Sequence, residues 1–250
     1  MKHLIALGAV AFALALASNT YAADGVVLIN QSTSITGLPG CGSSGFPIVI
    51  CQPGSYRLSG NLTVTDPTKD AIDINASNVT LDLNGFSVSG SAVCTGSGNA
   101  IVCTGSETGV GIKSANTAVA ISLTNGSVSG FIEGVTIQGR VDSIRSTSNK
   151  LAGISVRQGS IVRGSFVSLN GAAGIVGDLS IISGNIALNN FGDGFAGDQS
   201  TFTNNMSSEN GASGISTSCP SNLIGNTAPF NTFGSIHTAF TGCALANNVP

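Results

Sequence analysis

Between residues 110 and 240 the apolar positions come in short alternating runs, and the runs recur at a nearly constant step. Ile112, Val135, Ile154, Ile175, Phe195, Ile215 and Ile236 share one phase, and Ile137, Val156, Gly177, Gly197, Thr217 and Thr238 follow two positions later. Strict alternation marks a strand with one buried face, so both sets are predicted to point inward. The polar pattern keeps the same step. Asn149, Asn170, Asn190, Asn210 and Asn231 stand 21, 20, 20 and 21 residues apart, and each precedes a turn into a strand, as at Gly153-Ile154 and Gly194-Phe195. A second column, Asn185, Asn205, Asn226 and Asn247, runs beside the first. A repeat this short cannot hold two packed helices and matches one turn of a coiled parallel β-structure. Stacked strands lie about 4.8 Å apart, so equivalent side chains on successive coils are neighbours.

The asparagines read as scaffolding. An Asn side chain has two donors and two acceptor lone pairs, can bond from coil to coil, and tolerates the left-handed backbone of a sharp corner. Farther back, Ala71-Ile72-Asp73-Ile74 and Gly111-Ile112-Lys113-Ser114 sit 40 residues apart, as do Leu81-Asp82-Leu83-Asn84-Gly85 and Ile121-Ser122-Leu123-Thr124-Asn125-Gly126. That interval points to an insertion near residues 91–108, closed by Cys94 and Cys103; an irregular extra coil through Ala100-Ile101-Val102 competes with it. If the insertion loops out, Asp73 and Lys113 share a phase on adjoining coils as a surface pair.

Residues 1–22 have the form of a secretory signal peptide: Lys2 and His3, an apolar run from Leu4 to Ala17, then small residues at Thr20 and Ala22. Cleavage is expected after Ala22, with Ala17 as the alternative, and the mature protein is expected in the periplasm or outside the cell, with no membrane span. Six Cys fit an oxidising compartment and fall into three local couples, Cys41–Cys51, Cys94–Cys103 and Cys219–Cys243. CxxC knuckles with His partners are missing, so metal binding through Cys is not expected. Loss of Lys2 with the leader leaves 8 basic and 12 acidic residues, a net charge of −4 that excludes a generic nucleic-acid binder.

The segment Gln52-Pro53-Gly54-Ser55-Tyr56-Arg57-Leu58, then Ala76-Ser77-Asn78-Val79-Thr80-Leu81-Asp82-Leu83-Asn84-Gly85-Phe86, resembles the opening of right-handed parallel β-helix repeat proteins. The cysteine-closed insertion and the Asn-x-x-x-Gly-Ile repeats are similar too. The resemblance is to the pectate-lyase-like superfamily, in particular its periplasmic NosD-type branch, over roughly residues 50–245. It implies an all-β, single-stranded right-handed solenoid of about 7–9 coils of 20–21 residues, with a cap at 23–50 and the helix over 51–250. The same coil carries lyases, hydrolases, epimerases and adhesins, so the fold does not select an activity.

Polysaccharide-active relatives bind substrate on the outward side of the first strand of each coil. Here the first outward column reads Lys113, Thr136, Ser155, Val176, Ala196, Ser216 and His237, and the second Ala115, Gln138, Arg157, Asp178, Asp198, Ser218 and Ala239. Charges line up on successive coils at Arg157, Asp178 and Asp198. Equivalent carboxyls one coil apart are expected about 5 Å from each other, the separation used by the nucleophile and acid of a retaining glycosidase. The same three residues could serve elimination, with Arg157 as base and the aspartates holding Ca²⁺; no other cofactor is implied. Against this stands an ordinary Arg157–Asp178 surface ion pair with Asp198 solvated. Lys113, Gln138 and Arg157 are the glycan-binding candidates. His237 reads as exposed near the rod's end, and Asp82 as a turn-stabilising group. The chain lacks Trp, Tyr56 is the only Tyr beyond the leader, and Phe195 and the other Phe are expected to stack inward, which leaves no aromatic platform for a neutral sugar.

Two functions remain. One is a non-catalytic envelope or surface protein that binds glycan or protein partners. The other is a lyase or glycoside hydrolase acting on an acidic polysaccharide. Ice binding is discarded, because Thr63-Val64-Thr65 does not recur. The insertion discriminates: folded over Arg157–Asp198 it favours the enzyme, and elsewhere it weakens that site.

Overall fold

The computed structural model describes residues 25–42 and 44–250; the expected signal peptide lies outside the described residues. The chain is a right-handed parallel β-helix of nine coils. Nine strands, Ile48–Ile50, Ile72–Ile74, Ile112–Ser114, Val135–Ile137, Ile154–Val156, Ile175–Gly177, Phe195–Ala196, Ile215–Ser218 and Ile236–Ala239, form one all-parallel sheet. A fifteen-stranded parallel sheet closes the other side of the coil and bends along its length.

Register follows the apolar phase. Ile112 pairs with Val135, Val135 with Ile154, Ile154 with Ile175, Ile175 with Phe195, Phe195 with Ile215 and Ile215 with Ile236. All but Ile236, in the last coil, are fully buried. Each such side chain contributes roughly 1.5–3 kcal/mol by leaving water. Opposite them the large sheet stacks Leu81, Leu123, Val141, Val162, Ile182, Phe202 and Leu223.

The asparagine column is a ladder inside the corner. Asn149 Nδ2 donates to Asn170 Oδ1 at 3.0 Å, and Asn170, Asn190 and Asn210 each repeat the bond to the next rung at 2.9 Å. Each accepting Oδ1 also takes the main-chain N–H of the rung before it. Asn149, Asn170, Asn190 and Asn210 have no exposed surface, so the ladder replaces the water these groups would otherwise need. The residue before each rung turns the chain with positive φ, from Ser148 to Phe230. Gly in the Asn-x-x-x-Gly motif makes room for the ladder: a Cβ at Gly174 would lie 2.7 Å from Val167 Cγ2 and 3.0 Å from Asn190 Nδ2.

The second column ends differently from the sequence expectation. Its last rung is Asn248, which accepts from Asn226 Nδ2 at 2.9 Å. The final coil pairs Ser218 with Ala239, a step of 21 residues, but Asn222 with Ala244, a step of 22, because it takes one more residue between those two strands than the coil before it. Asn247 instead takes the left-handed corner position (φ 54°), in the same column as Asn204 and Gly225. The phenylalanines also divide. Phe131, Phe195 and Phe202 are buried, whereas Phe230, Phe233 and Phe240 crowd the last coil at 83%, 76% and 80% exposure. They occupy corner and turn positions, whose side chains face away from the core.

Disulfides join Cys41 to Cys51, Cys94 to Cys103 and Cys219 to Cys243. Ile72 pairs directly with Ile112, so residues 91–108 leave the coil as a loop and add no turn to the rod. The loop carries a two-stranded antiparallel ribbon, Val93–Thr95 with Val102–Thr104. At the N-terminal end, Val27–Ile29 already belongs to the large sheet and Ile48–Ile50 is the first strand of the nine-stranded one, with a short helix, Thr33–Thr36, between them.

Candidate functional site

The outward face of the nine-stranded sheet begins with a charged cluster. Lys113 pairs across the sheet with Asp73, as its phase requires once the insertion loops out. Its ammonium bonds Asp70 Oδ2 and stands 3.7 Å from Asp73 Oδ1. Asp70 Oδ1 accepts the Val110 N–H at 2.6 Å. Asp73 Oδ1 is buried and has no hydrogen-bond partner among the described residues. Burial pushes the Asp73 carboxyl up to about 6; Lys113 opposes that shift and Asp70 adds to it. The Lys113 ammonium is held above its ordinary value by bonds to Asp70 and by both carboxylates, against its own desolvation. Asp73 is thus raised to about 6 beside a fixed cation, the environment of an acid–base group.

Gln138 and Arg157 converge on the end of the same strand. The Gln138 main-chain N–H donates to Ser114 Oγ at 3.3 Å, and its side-chain amide donates to the Gln158 carbonyl at 3.1 Å. Arg157 reaches back two coils: Nη2 donates to the Ser114 carbonyl at 2.8 Å, and Nη1 to the Ala115 carbonyl at 3.0 Å and to Ser114 Oγ at 3.3 Å. Two of the three glycan-binding candidates, Gln138 and Arg157, thus meet at Ser114, a buried residue that sequence reasoning missed, while the Lys113 ammonium stays with Asp70 and Asp73. Gln138, Val156, Arg157, Gln158 and Asp178 line an open depression of about 390 Å³.

Asp178 and Asp198 stand one above the other but face the backbone. Asp178 Oδ1 accepts the Asp198 N–H at 2.9 Å, and Asp198 Oδ1 accepts the Ser218 N–H at 2.7 Å. Asp193 does the same for Ser213 at 2.8 Å, with its carboxyl raised by burial against that bond and against His237. Repetition of one bond on three aspartates marks a coil-to-coil staple. The expected Arg157–Asp178 ion pair is absent among the described residues; the guanidinium has turned to carbonyls, which are fixed acceptors already in place. Asp82 fills its turn role, accepting the Asn84 N–H at 2.7 Å while pairing with Arg57 at 3.1 Å.

The insertion lies along the ladder corner, at the edge where strands begin. Cys94 Sγ is 3.5 Å and Cys103 Sγ 3.8 Å from the Asn149 carbonyl, and Lys150 Nζ donates to the Gly105 carbonyl at 2.7 Å. A Cβ on Gly211 would come within 2.6 Å of Asn99 N, so the loop reaches down to the seventh coil. Arg157, Asp178 and Asp198 are at the opposite edge, where strands end. Their stretch is not covered.

Calcium does not fit either set of aspartates. Among the described residues no three His, Cys, Asp or Glu side chains converge as a metal site. Lys113 already stands between Asp70 and Asp73, and Asp178 and Asp198 are only two ligands, each bound to an N–H.

No family model matches the sequence, and no curated protein matches it. Solved structures do. A double mutant of the periplasmic alginate epimerase AlgG superposes with a TM-score of 0.54 at 14% identity, over 80% of this chain and 70% of that one. The enzymatically active domain of tailspike protein 2 from bacteriophage CBA120 gives 0.59 at 18% identity, over 80% and 35%. Full-length tailspike protein 2 from an Escherichia coli O157:H7 bacteriophage gives 0.51 at 16%, over 78% and 31%. The chain thus spans about a third of the length of these two tailspike chains. At these identities the shared property is the right-handed parallel β-helix itself.

Proposed function

We propose that the protein is exported and acts on an acidic polysaccharide laid along the nine-stranded sheet, with Asp73 as its acid–base group. The observation that carries this reading is the half-buried Asp73 carboxyl, raised to about 6 beside the Lys113 ammonium. Its chemistry suits a uronate. Asp73 takes the proton α to the sugar carboxylate, the electron pair moves into that carboxylate, and Lys113 offsets the added charge. From the enediolate, the glycosidic oxygen on the neighbouring carbon departs as an alcohol with the proton that Asp73 took, which is elimination, or the α-carbon takes a proton from water on the opposite face while Asp73 gives its own to solvent, which is epimerisation. Gln138 and Arg157 bound the strip and offer an amide oxygen and a cation to the polymer. Asp178 and Asp198 are the competing pair for hydrolysis, and their commitment to main-chain N–H groups makes them the weaker one.

The alginate epimerase and the active tailspike domain support the reading at the level of fold. We place the chain in the pectate-lyase-like superfamily on the same basis, with the NosD-type periplasmic branch resting on the sequence resemblance. Three disulfides favour an oxidising compartment, and no helix among the described residues is long and apolar enough to cross a membrane. A purely binding protein is the second reading, favoured by the small neutral residues Ser155, Val176, Ala196 and Ser216 on the rest of the strip. The test is incubation of purified protein with uronate-containing and neutral polymers, with and without Ca²⁺. Unsaturated ends or inverted uronates that vanish in Asp73→Asn support the enzyme. Binding without turnover on every polymer selects the second reading.

A further inference from the structure

On the far side of the rod, the side chains of Arg140, Asp142 and Arg163 come together. Asp142 and Arg163 pair across adjoining strands of the fifteen-stranded sheet, and Arg140 precedes Asp142 by one outward position. Arg140 Nε bonds Asp142 Oδ2, and Arg163 Nε bonds Asp142 Oδ1 at 2.5 Å. The carboxylate is the more buried member, with 17% of its side chain exposed against 44% and 48% for the arginines. One anion thus anchors two guanidinium groups by their Nε edges, and their Nη atoms make no hydrogen bond among the described residues. The cluster keeps a net charge of +1. Beside it an open depression of about 580 Å³ runs along the bend of the sheet, with Ser143, Gly184 and Asn204 in its lining. Its floor residues hold the left-handed corner (φ 54°, 64° and 54°), and a Cβ on Gly184 would meet nothing within 4 Å, so the floor is open to a ligand.

We infer that this elbow is a second anion-binding site, in which the free forks of Arg140 and Arg163 clamp carboxylate groups of an acidic glycan. A guanidinium fork matches a carboxylate through two parallel N–H···O bonds, and two forks already fixed by Asp142 lose little freedom on binding. The hydroxyl and amide groups of Ser143 and Asn204 can meet sugar hydroxyls. Neighbouring coils repeat about every 4.8 Å along the groove, so a chain running parallel to the rod axis can place successive charged units near successive coils. The site faces away from Asp73 and is independent of any reaction there. It would keep the protein on a polymer while another stretch occupies the nine-stranded sheet.

The test is NMR of ¹⁵N-labelled protein, with the Nε–Hε signals of Arg140 and Arg163 assigned through Arg140→Lys and Arg163→Lys. The probes are a galacturonate hexamer and its fully methyl-esterified form. Expected is a saturable shift of both signals with the acid, no shift with the ester, and affinity at least ten-fold weaker in the R140Q/R163Q double variant. The single Lys variants, which keep charge and lose the fork, should weaken binding several-fold and hold the fold intact. Unmoved arginine signals, an equal response to the ester, or undiminished affinity in a folded double variant would overturn the site. The readout requires no turnover, so a protein inert at Asp73 still answers the question.

Discussion

Coils two and three and the six coils that follow share one strand plan, yet they satisfy their polar side chains in different ways. From the fourth coil onward the two asparagine columns and three of the aspartates serve the backbone of a neighbouring coil, the Asp142 cluster on the other sheet apart. Asn149 through Asn231 form a closed ladder, Asn185 through Asn248 a second, and Asp178, Asp193 and Asp198 each accept an N–H one coil away. In coils two and three the side chains meet one another instead: Asp70, Asp73 and Lys113 on one face, and Glu107 beside Ser91 at the base of the insertion. Two buried carboxylate oxygens there, on Asp73 and Glu107, have no partner among the described residues. Aligned charges alone therefore do not indicate a reactive site. A carboxylate already bonded to the main chain is structural, and one left unsatisfied beside a cation is available for chemistry.

The largest effect is expected where the ladder is cut. Asn190→Ala removes the acceptor of Asn170 Nδ2 and N–H and the donor to Asn210 Oδ1, all without water access. Loss of that network should cost about 3 kcal/mol in urea unfolding, since each unsatisfied buried group carries its own desolvation penalty. Asn189→Gly, one residue earlier, should be nearly neutral: that side chain's Oδ1 is unpartnered and the backbone is already left-handed (φ 51°). Equal losses at 189 and 190 would show that the corner, and not the ladder, holds the coils together.

Next in size is the contrast in activity. On a substrate polymer, Asp73→Asn should lower turnover by roughly 100-fold, the usual contribution of a positioned acid–base group. Asp178→Asn should stay within about three-fold, because the amide oxygen still accepts the Asp198 N–H. The wild-type rate should rise through about pH 6 as Asp73 deprotonates. The reverse ranking of the two variants would move the reaction to the other end of the sheet.

Much of this contrast was legible from the chain and part was not. The inward and outward columns could be read because a strand has one period and a stacked coil one step, so every pairing from Ile112 to Ile236 follows. The Asp73–Lys113 pair followed once the 40-residue interval was assigned to a loop. What alignment could not supply was the direction of a side chain with several acceptors in reach. Arg157 had an aspartate one coil away and took the carbonyls of Ser114 and Ala115 instead. Arg140 and Arg163 lie on different coils and out of phase with each other, and only the shared carboxylate of Asp142 unites them. The final rung moved from Asn247 to Asn248 because one coil is longer, which a fixed step cannot register.

A third prediction separates the two carboxylate types through stability and pH. Asp73 has a raised folded value, so the folded state holds its proton to higher pH than the unfolded chain does. Its contribution is fully present below the ordinary aspartate value and is lost as pH rises through about 6. Asp73→Asn should accordingly stabilise the protein by about 1 kcal/mol at pH 8 and change little at pH 4, the gain being limited by loss of the Lys113 contact. A variant less stable than wild type at pH 8 would mean that the ion pair outweighs the burial, and the site would then be structural.

The smallest effect, and the most specific, lies at the staple. Asp178→Ala leaves the Asp198 N–H without its side-chain acceptor, at a position open enough for water to replace it in part. A loss of about 1 kcal/mol is expected, in the range of a single charge-assisted bond partly recovered by solvent. Asp178→Asn keeps an oxygen in the same place and should lose no more than about 0.5 kcal/mol, the usual span for an exposed substitution. Asp193→Asn makes the comparison sharper, because burial raises that carboxyl and the Ser213 N–H opposes the rise. Replacing it with the amide removes the charge that burial disfavours and retains the acceptor, so stability at pH 8 should hold or increase. If Asn at 178 costs as much as Ala, the charge matters and not the acceptor, and Asp178 would no longer belong with the staples. Urea titrations of the three variants at pH 8 measure the difference directly.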